Sequence, residues 1–291
     1  MTKKKETVAL AAGELLAPYQ KRFDEAVKKE IAREKKHQDL LQACSYSVLS
    51  NGKRLRPALV WMVADALDAD ESVSLAALAV EFFHASSLVV DDLPCMDDDD
   101  FRRGKPSTHR AFSEQAAILA SFALTAWGFD AITRVVPPER AAHRVLQAAV
   151  AAASGSVGLP GLIGGQWLDI KEGRPTRERF IEIVDRKTGD LFGLCFILGW
   201  LFGGGDIARL PQLRQMAGHF GRAFQLVDDL DDLQQDRAAG KEANSAILFG
   251  EEETLRLVVE HVERFCCLAS AEGLDETPLI PLAQTLSLVG V

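Results

Sequence analysis

Strand signals are almost missing from this sequence. No run of alternating β-branched residues is bounded by hairpin dipeptides, apart from an isolated Asn51-Gly52, which argues against a sheet-based core. Cysteine is scarce and odd in number: Cys44, Cys95, Cys195, Cys266 and Cys267 have no zinc-ligand spacing and cannot all pair. Free thiols in a reducing compartment, and hence a cytoplasmic location, are the expectation. Basic excess is lacking as well. A net charge of -9 and a pI near 5.3 argue against nucleic acid as a partner. Val145 to Leu168 carries no charge and is long enough to span a bilayer, but it is mostly Ala, Gly and Ser with Pro160 inside. That composition fits a tightly packed core segment, so no membrane span is expected. Glu14 interrupts the apolar stretch after Lys3 to Lys5, so no signal peptide is read there, and residues 1–17 are expected to fray.

What is abundant is helical periodicity. With 291 residues, 47% hydrophobic and 26% charged, the chain can bury one large core. Phe23, Val27 and Ile31 line one face of a helix expected over Tyr19 to Lys36. A second is expected over Leu40 to Leu49, capped by Asn51-Gly52, before Pro57 opens a third. Leu75 to Val90 is apolar nearly all round and reads as a central helix. Further helices are expected over Glu114 to Ala131, Pro138 to Ser154 with Glu139 in its first turn, Arg177 to Leu201 and Glu251 to Ser270. A polar loop is expected after Asp232, and Leu274 to Val291 is weakly patterned. With no linker or repeat, an all-α, single-domain reading over residues 1–291 is the economical one.

Two acid clusters stand out. SSLVVDDLPCMDDDDFRRG ends an apolar run in six aspartates between Asp91 and Asp100, then reverses sign at Arg102 and Arg103. Unit charges about 4 Å apart repel by on the order of 4 kcal/mol at an effective dielectric of about 20, so such a block calls for cations. FQLVDDLDD repeats the design, with Asp228 and Asp232 four apart on one helix face and Asp229 beside them. Hard carboxylate oxygens suit Mg²⁺, which is usually held through one or two carboxylates plus substrate phosphates. A solvated acidic loop is the bland alternative for either cluster alone. Lys53, Arg54 and Arg56 at a helix start form a candidate anion site, though such clusters are often merely solvated. His84, two turns before Asp91, is either a satisfied core histidine or a diphosphate contact. Lys187, entering an apolar run after Arg186, either snorkels or clamps a ligand. Gln166 and Asp169 share a face within a glycine-rich stretch.

Taken together, GKRLRP, DDLPCMDDDDFRRG, GGQWLD, KTG and FQLVDDLDD in this order resemble the trans-isoprenyl diphosphate synthases, the short-chain farnesyl and geranylgeranyl group, from about Leu40 to Gly250. The resemblance implies the isoprenoid synthase fold, a bundle of long helices around a central cavity, as a homodimer. It implies Mg²⁺ on the allylic diphosphate, held by Asp91, Asp97 and Asp228 with support from Asp92, Asp229 and Asp232. Arg102, Lys187, Thr188, Gln225 and Lys241 are implied to hold that same substrate, and Lys53, Arg56, His84 and Arg103 to bind isopentenyl diphosphate. Metal and positioning, with no protein nucleophile, are implied to carry the condensation.

Departures from the family pattern are Asn51 in place of a glycine, Val90 where bacterial relatives often have His, and a short segment after Asp232 in which only Lys241 remains of two lysine-bearing stretches. The family sets product length by bulk above the first acid motif. Here Ser86 and Ser87 occupy that level, with Phe83 about 12 Å up a helix that rises about 1.5 Å per residue. A C20 product is therefore expected over C15. The alternatives are a class I terpene cyclase, disfavoured by the second cationic site, and a non-catalytic subunit that tunes another synthase, which the short segment would favour.

Overall fold

The computed structural model describes residues 3–69, 73–136, 142–171 and 174–288, with side chains from residue 10 onward. The chain winds through α1 (Lys3–Arg33), α2 (Gln38–Val48), α3 (Leu55–Asp65) and α4 (Ser74–Asp91). A two-residue pair, β1 (Phe101–Arg102) and β2 (Lys105–Pro106), precedes α5 (Thr108–Ala111), α6 (Glu114–Thr133), α7 (Ala142–Val157) and α8 (Leu162–Lys171). Then come α9 (Arg177–Val184), a π-helical turn over Asp185–Gly189, α10 (Asp190–Phe202) and α11 (Leu210–Ala239). The last elements are α12 (Ser245–Leu248), α13 (Glu251–Ala271) and α14 (Leu279–Ser287). The all-α expectation holds.

At the centre stands α10, buried from Leu191 to Phe202 without a polar face. A helix apolar all round has to be enclosed on every side. It packs against α3, α4, α7 and α11. Phe192, Phe196, Phe220 and Phe265 meet along the α10–α11–α13 seam, three pairs edge to face and Phe220–Phe265 tilted, their ring centroids 5.2 to 5.9 Å apart. Truncating such a ring to Ala costs about 3–5 kcal/mol. The second enclosed helix, α4, lies along α6 and delivers Asp91 at its C-terminal end.

Several expectations need correction. The first helix starts at Lys3, not Tyr19, and ends at Arg33; Leu16 and Tyr19 are buried with Phe23 and Val27, and Pro18 sits on the exposed face. Asn51-Gly52 is not a left-handed cap. Leu49 caps α2, and the left-handed residue of this loop is Arg54, at φ 53°. The expected 177–201 helix is two helices joined by the π turn. Most consequentially, α11 continues through Asp232 to Ala239. Leu226, Asp229, Leu233 and Asp236 recur every three or four residues on its buried face, and that periodicity keeps the chain helical. The weakly patterned tail folds as α14 because Leu279, Leu282 and Ala283 reach the core. The proline pair and Glu139, expected to open a helix, lie outside the described residues.

Candidate active site

The end of α4 and the hairpin after it arrange the first acid cluster. Arg103 and Gly104 both have positive φ, 54° and 78°, as a two-residue mirror-image turn requires. This turn sends its two arginines in different directions. Arg102 Nε donates to Asp92 Oδ1 at 2.7 Å and Nη2 to Asp99 Oδ2 at 2.9 Å. Arg103 Nη1 donates to Ser50 Oγ at 3.3 Å, and Nη2 lies 3.3 Å from His84 Nε2. Gly52 makes room for this: a Cβ there would meet the Arg103 guanidinium at 2.7 Å.

Arg56 Nη1 also lies 3.3 Å from His84 Nε2, so two guanidiniums converge on one imidazole nitrogen. Burial first, then Arg56 and Arg103, hold the His84 pKa well below its usual value. Neutral His84 accepts at Nε2 from both arginines and keeps two like charges side by side. Below them Arg54, read from the sequence as part of the anion site, is instead bound to Glu81 Oε1 at 2.7 Å, bonds the Ser50 carbonyl and lies over the Phe23 ring. The ion pair is almost fully buried, 8% and 4% exposed, and ties the 50–56 loop to α4. Lys53 is exposed on that loop, its carbonyl accepting from Gln20.

Across from this cationic wall, α8 and α11 both close on the π turn. A Cβ on Gly165 would lie 2.4 Å from Lys187 N, and one on Gly221 would lie 2.9 Å from Gly189 Cα, so both crossings need glycine. The widened turn aims Lys187 and Thr188 at the cavity. Lys187 Nζ donates to Asp169 Oδ2 at 2.6 Å. Its pKa is raised although burial alone would lower it, because Asp169, Asp91 and Asp97 outweigh burial. Thr188 Oγ1 donates to Gln225 Oε1 at 2.9 Å, and Gln225 Nε2 to Asp229 Oδ1 at 2.9 Å.

The π turn, α8, α9 and α11 bound a cavity of about 540 Å³ into which Asp97, Asp99, Asp169, Asp228, Asp232 and Lys241 open. Asp91 and Asp228 titrate near 6 rather than at the usual carboxylate value. Burial is the largest cause for both; Asp97 and Asp92 add repulsion at Asp91, and Asp232 and Asp229 at Asp228. Asp228 is reached by solvent, but protein surrounds it closely enough to weaken its hydration. Among the described residues, no three His, Cys, Asp or Glu side chains form a cage for a metal ion. Opposed carboxylates short of countercharge fit a hard divalent cation shared with a phosphorylated ligand, and do not fit an all-protein cage.

Residues 37–250 match the polyprenyl synthetase family. The putative chloroplastic geranylgeranyl pyrophosphate synthase 8 of Arabidopsis thaliana is 38% identical over 263 residues, covering 84% of this chain and 73% of the relative. A farnesyl diphosphate synthase of Bacillus subtilis (strain 168) is 39% identical over 210 residues, covering 71% of each. A geranyltransferase structure from Legionella pneumophila superposes with a TM-score of 0.82 at 27% identity, over 97% of this chain and 98% of that one. The chain belongs to the polyprenyl synthetase family. Some plant relatives are longer: the chain spans 62% of geranylgeranyl pyrophosphate synthase 3 of Arabidopsis thaliana.

Within this polyprenyl synthetase, the positions singled out in the sequence divide into four settings. Lys187, Thr188, Gln225, Lys241, Asp97, Asp228 and Asp232 share the cavity. Lys53, Arg56, His84 and Arg103 form the cationic wall, and Asp228 connects the two through its attraction to Lys53 and Arg56, while Asp91 faces Lys187 and Asp97 on the cavity side. Asp92 and Asp229 have their carboxylates engaged, the first by Arg102 and the second by Gln225 and the Ser245 amide. Ser86 and Phe83 face α6. Ser86 Oγ bonds Ser121 Oγ at 2.9 Å and Thr125 Oγ1 at 2.8 Å, and the Phe83 ring sits on Gly128 and against Phe129. Ser87 Oγ turns back to the His84 carbonyl. Sequence reasoning missed Arg54 and Glu81 as a pair, and Asn244. Only Asn244 carried a local signal, as an Asn preceding a short helix.

Proposed function

We propose that the chain condenses isopentenyl diphosphate with allylic diphosphates and releases geranylgeranyl diphosphate. Prenyl transfer rests on the family and on relatives named as geranylgeranyl and farnesyl diphosphate synthases. The observation that carries the reading is one acid-lined cavity beside one cationic wall, a place for each of two diphosphates. Lys53, Arg56 and Arg103 hold the isopentenyl diphosphate, with His84 keeping the arginines paired. Lys187, Lys241 and Thr188 hold the allylic diphosphate. A hard divalent cation such as Mg²⁺, when bound, supplies Lewis acidity to the departing diphosphate oxygens. Asp91, Asp97, Asp228 and Asp232 are its proposed ligands, while Asp92 and Asp229 hold their neighbours in shape.

As the allylic carbon–oxygen bond breaks, negative charge grows on the leaving group, and Lys187, fixed by Asp169, faces it. The isopentenyl double bond supplies the electron pair for the new carbon–carbon bond, and the proton then lost goes to the released diphosphate. Ile183, Val184 and Phe180 line the cavity and keep water from the developing cation. A C20 product is favoured by the small side chains at Ser86 and Ser87.

We also propose a homodimer, a cytoplasmic setting and no membrane span. Ile118, Leu119 and Phe122 stand 42%, 54% and 69% exposed on the outer face of α6, an apolar stripe that a second copy would cover. The five cysteines are unpaired. The helical spans Ser74–Asp91, Glu114–Thr133 and Ala142–Lys171 are long and apolar enough to cross a bilayer. The first is mostly buried in protein, and the third is interrupted by a turn at Gly158–Gly161. Diphosphate release from isopentenyl and dimethylallyl diphosphates by the purified chain, dependent on added Mg²⁺, tests the reaction. Release that needs a second protein would favour the regulatory-subunit reading.

A further inference from the structure

Gly240 turns the chain out of α11 at φ 70°, and α12 begins only five residues later. Asn244, fully buried, sits at the bend. Its Oδ1 accepts from Ala246 N at 2.9 Å and Ile247 N at 3.3 Å, capping α12. Its Nδ2 donates to the Asp229 carbonyl at 2.8 Å and to Asp236 Oδ2 at 2.9 Å. Both donors and both lone pairs of this amide are therefore used. The other oxygen of Asp236 lies 3.4 Å from Lys241 Nζ at the rim of the cavity. The next residue, Ser245, donates its amide to Asp229 Oδ2 at 2.8 Å. Through Asp229, Gln225 and Thr188, one chain of hydrogen bonds runs from this bend to the π turn that carries Lys187.

The pairing is specific in its polarity. Asp229 and Asp236 are two turns apart on one face of α11, and the Asn244 NH₂ group bridges that backbone carbonyl and that carboxylate. Lys241 has a mostly exposed side chain, and Asp236 tethers it toward the cavity. We propose that Asn244 and Asp236 are positioning residues that set Lys241 and Asp229 for the allylic diphosphate. This rests on the proposed reaction and assigns the half of it that the bend controls.

Asn244→Asp isolates the effect, since it keeps the two cap acceptors, removes both donors and sets a carboxylate against Asp236. Calorimetry with geranyl diphosphate and Mg²⁺, isopentenyl diphosphate omitted, should show binding weakened about tenfold, the scale of a lost buried hydrogen bond. The KM for isopentenyl diphosphate should stay within about twofold, because the cationic wall makes none of these bonds. Adding Asp236→Asn to Asn244→Asp restores the bond between positions 236 and 244 but not the one to the Asp229 carbonyl, and should recover at least about threefold of the lost affinity. If Asn244→Asp does not fold, Asn244→Ser, which keeps a capping oxygen and loses the reach to Asp236, should show the same weakening. A lower melting temperature with unchanged affinity, or no recovery in the swapped pair, would overturn the proposal. A wild-type chain that binds geranyl diphosphate but never elongates it would count against the reaction and leave the positioning role measured by binding. A wild-type chain that does not bind it overturns both.

Discussion

Asp91→Asn should make the metal-free protein more stable while destroying its turnover. The carboxyl titrates near 6 instead of 3.8, chiefly because burial strips it of water, with Lys187 pulling against the repulsion of Asp97 and Asp92. Two pKa units correspond to about 3 kcal/mol, and partial exposure reduces this to about 1–2 kcal/mol. For a carboxyl whose folded pKa lies above its unfolded one, the stabilising contribution is complete below about 3.8 and is lost as pH rises through about 6. An amide keeps the shape without the charge. In urea titrations with a chelator present, Asp91→Asn should therefore exceed wild type by about 1–2 kcal/mol at pH 8 and match it at pH 4. With Mg²⁺ and geranyl diphosphate added, the order should reverse, since only the carboxylate gains from the ligand. A variant less stable than wild type at pH 8, or a gain that does not change with pH, would refute the reasoning.

His84→Gln keeps an acceptor between Arg56 and Arg103 and should hold the KM for isopentenyl diphosphate near wild type, whereas His84→Leu should raise it about tenfold; equal effects in initial-rate assays would contradict the neutral-acceptor role. Gly52→Ala pushes the Arg103 guanidinium aside at little cost in stability, so that KM should rise with the melting temperature unchanged, and a parallel loss of both would indicate a general disruption of the loop. Ser86→Tyr forfeits the bonds to Ser121 and Thr125 and adds bulk between α4 and α6 above Asp91, so chromatography of the products should show shorter chains; an unchanged C20 distribution would place the length limit elsewhere.

The long periodic helices were legible because apolar spacing is local information. Leu75 to Val90 announced α4 almost to the residue, and the carboxylates of both clusters were plain in the sequence. What was not legible depends on partners distant in sequence. The extension of α11 past Asp232 was hidden by the polar run Gln234 to Arg237; its cause, burial of Leu233 and Asp236, is tertiary. Arg54 read as one more cation of an anion site until Glu81, 27 residues on, claimed it. Nothing in Asp185–Gly189 distinguishes a π turn from an α turn; the close crossings at Gly165 and Gly221 mark its surroundings only once the helices are packed. The family resemblance supplied the roles of Lys187 and His84, which residue chemistry alone left open between packing and ligand.

The most direct measurement supplies the purified chain with isopentenyl diphosphate and Mg²⁺, offers dimethylallyl, geranyl and farnesyl diphosphates in turn, and resolves the products by length. Geranylgeranyl diphosphate from all three starters is the predicted result. Chains that stop at C15 would leave the condensation standing and contradict the product length, and no elongation from any starter would contradict the assignment of two diphosphate sites to one active chain.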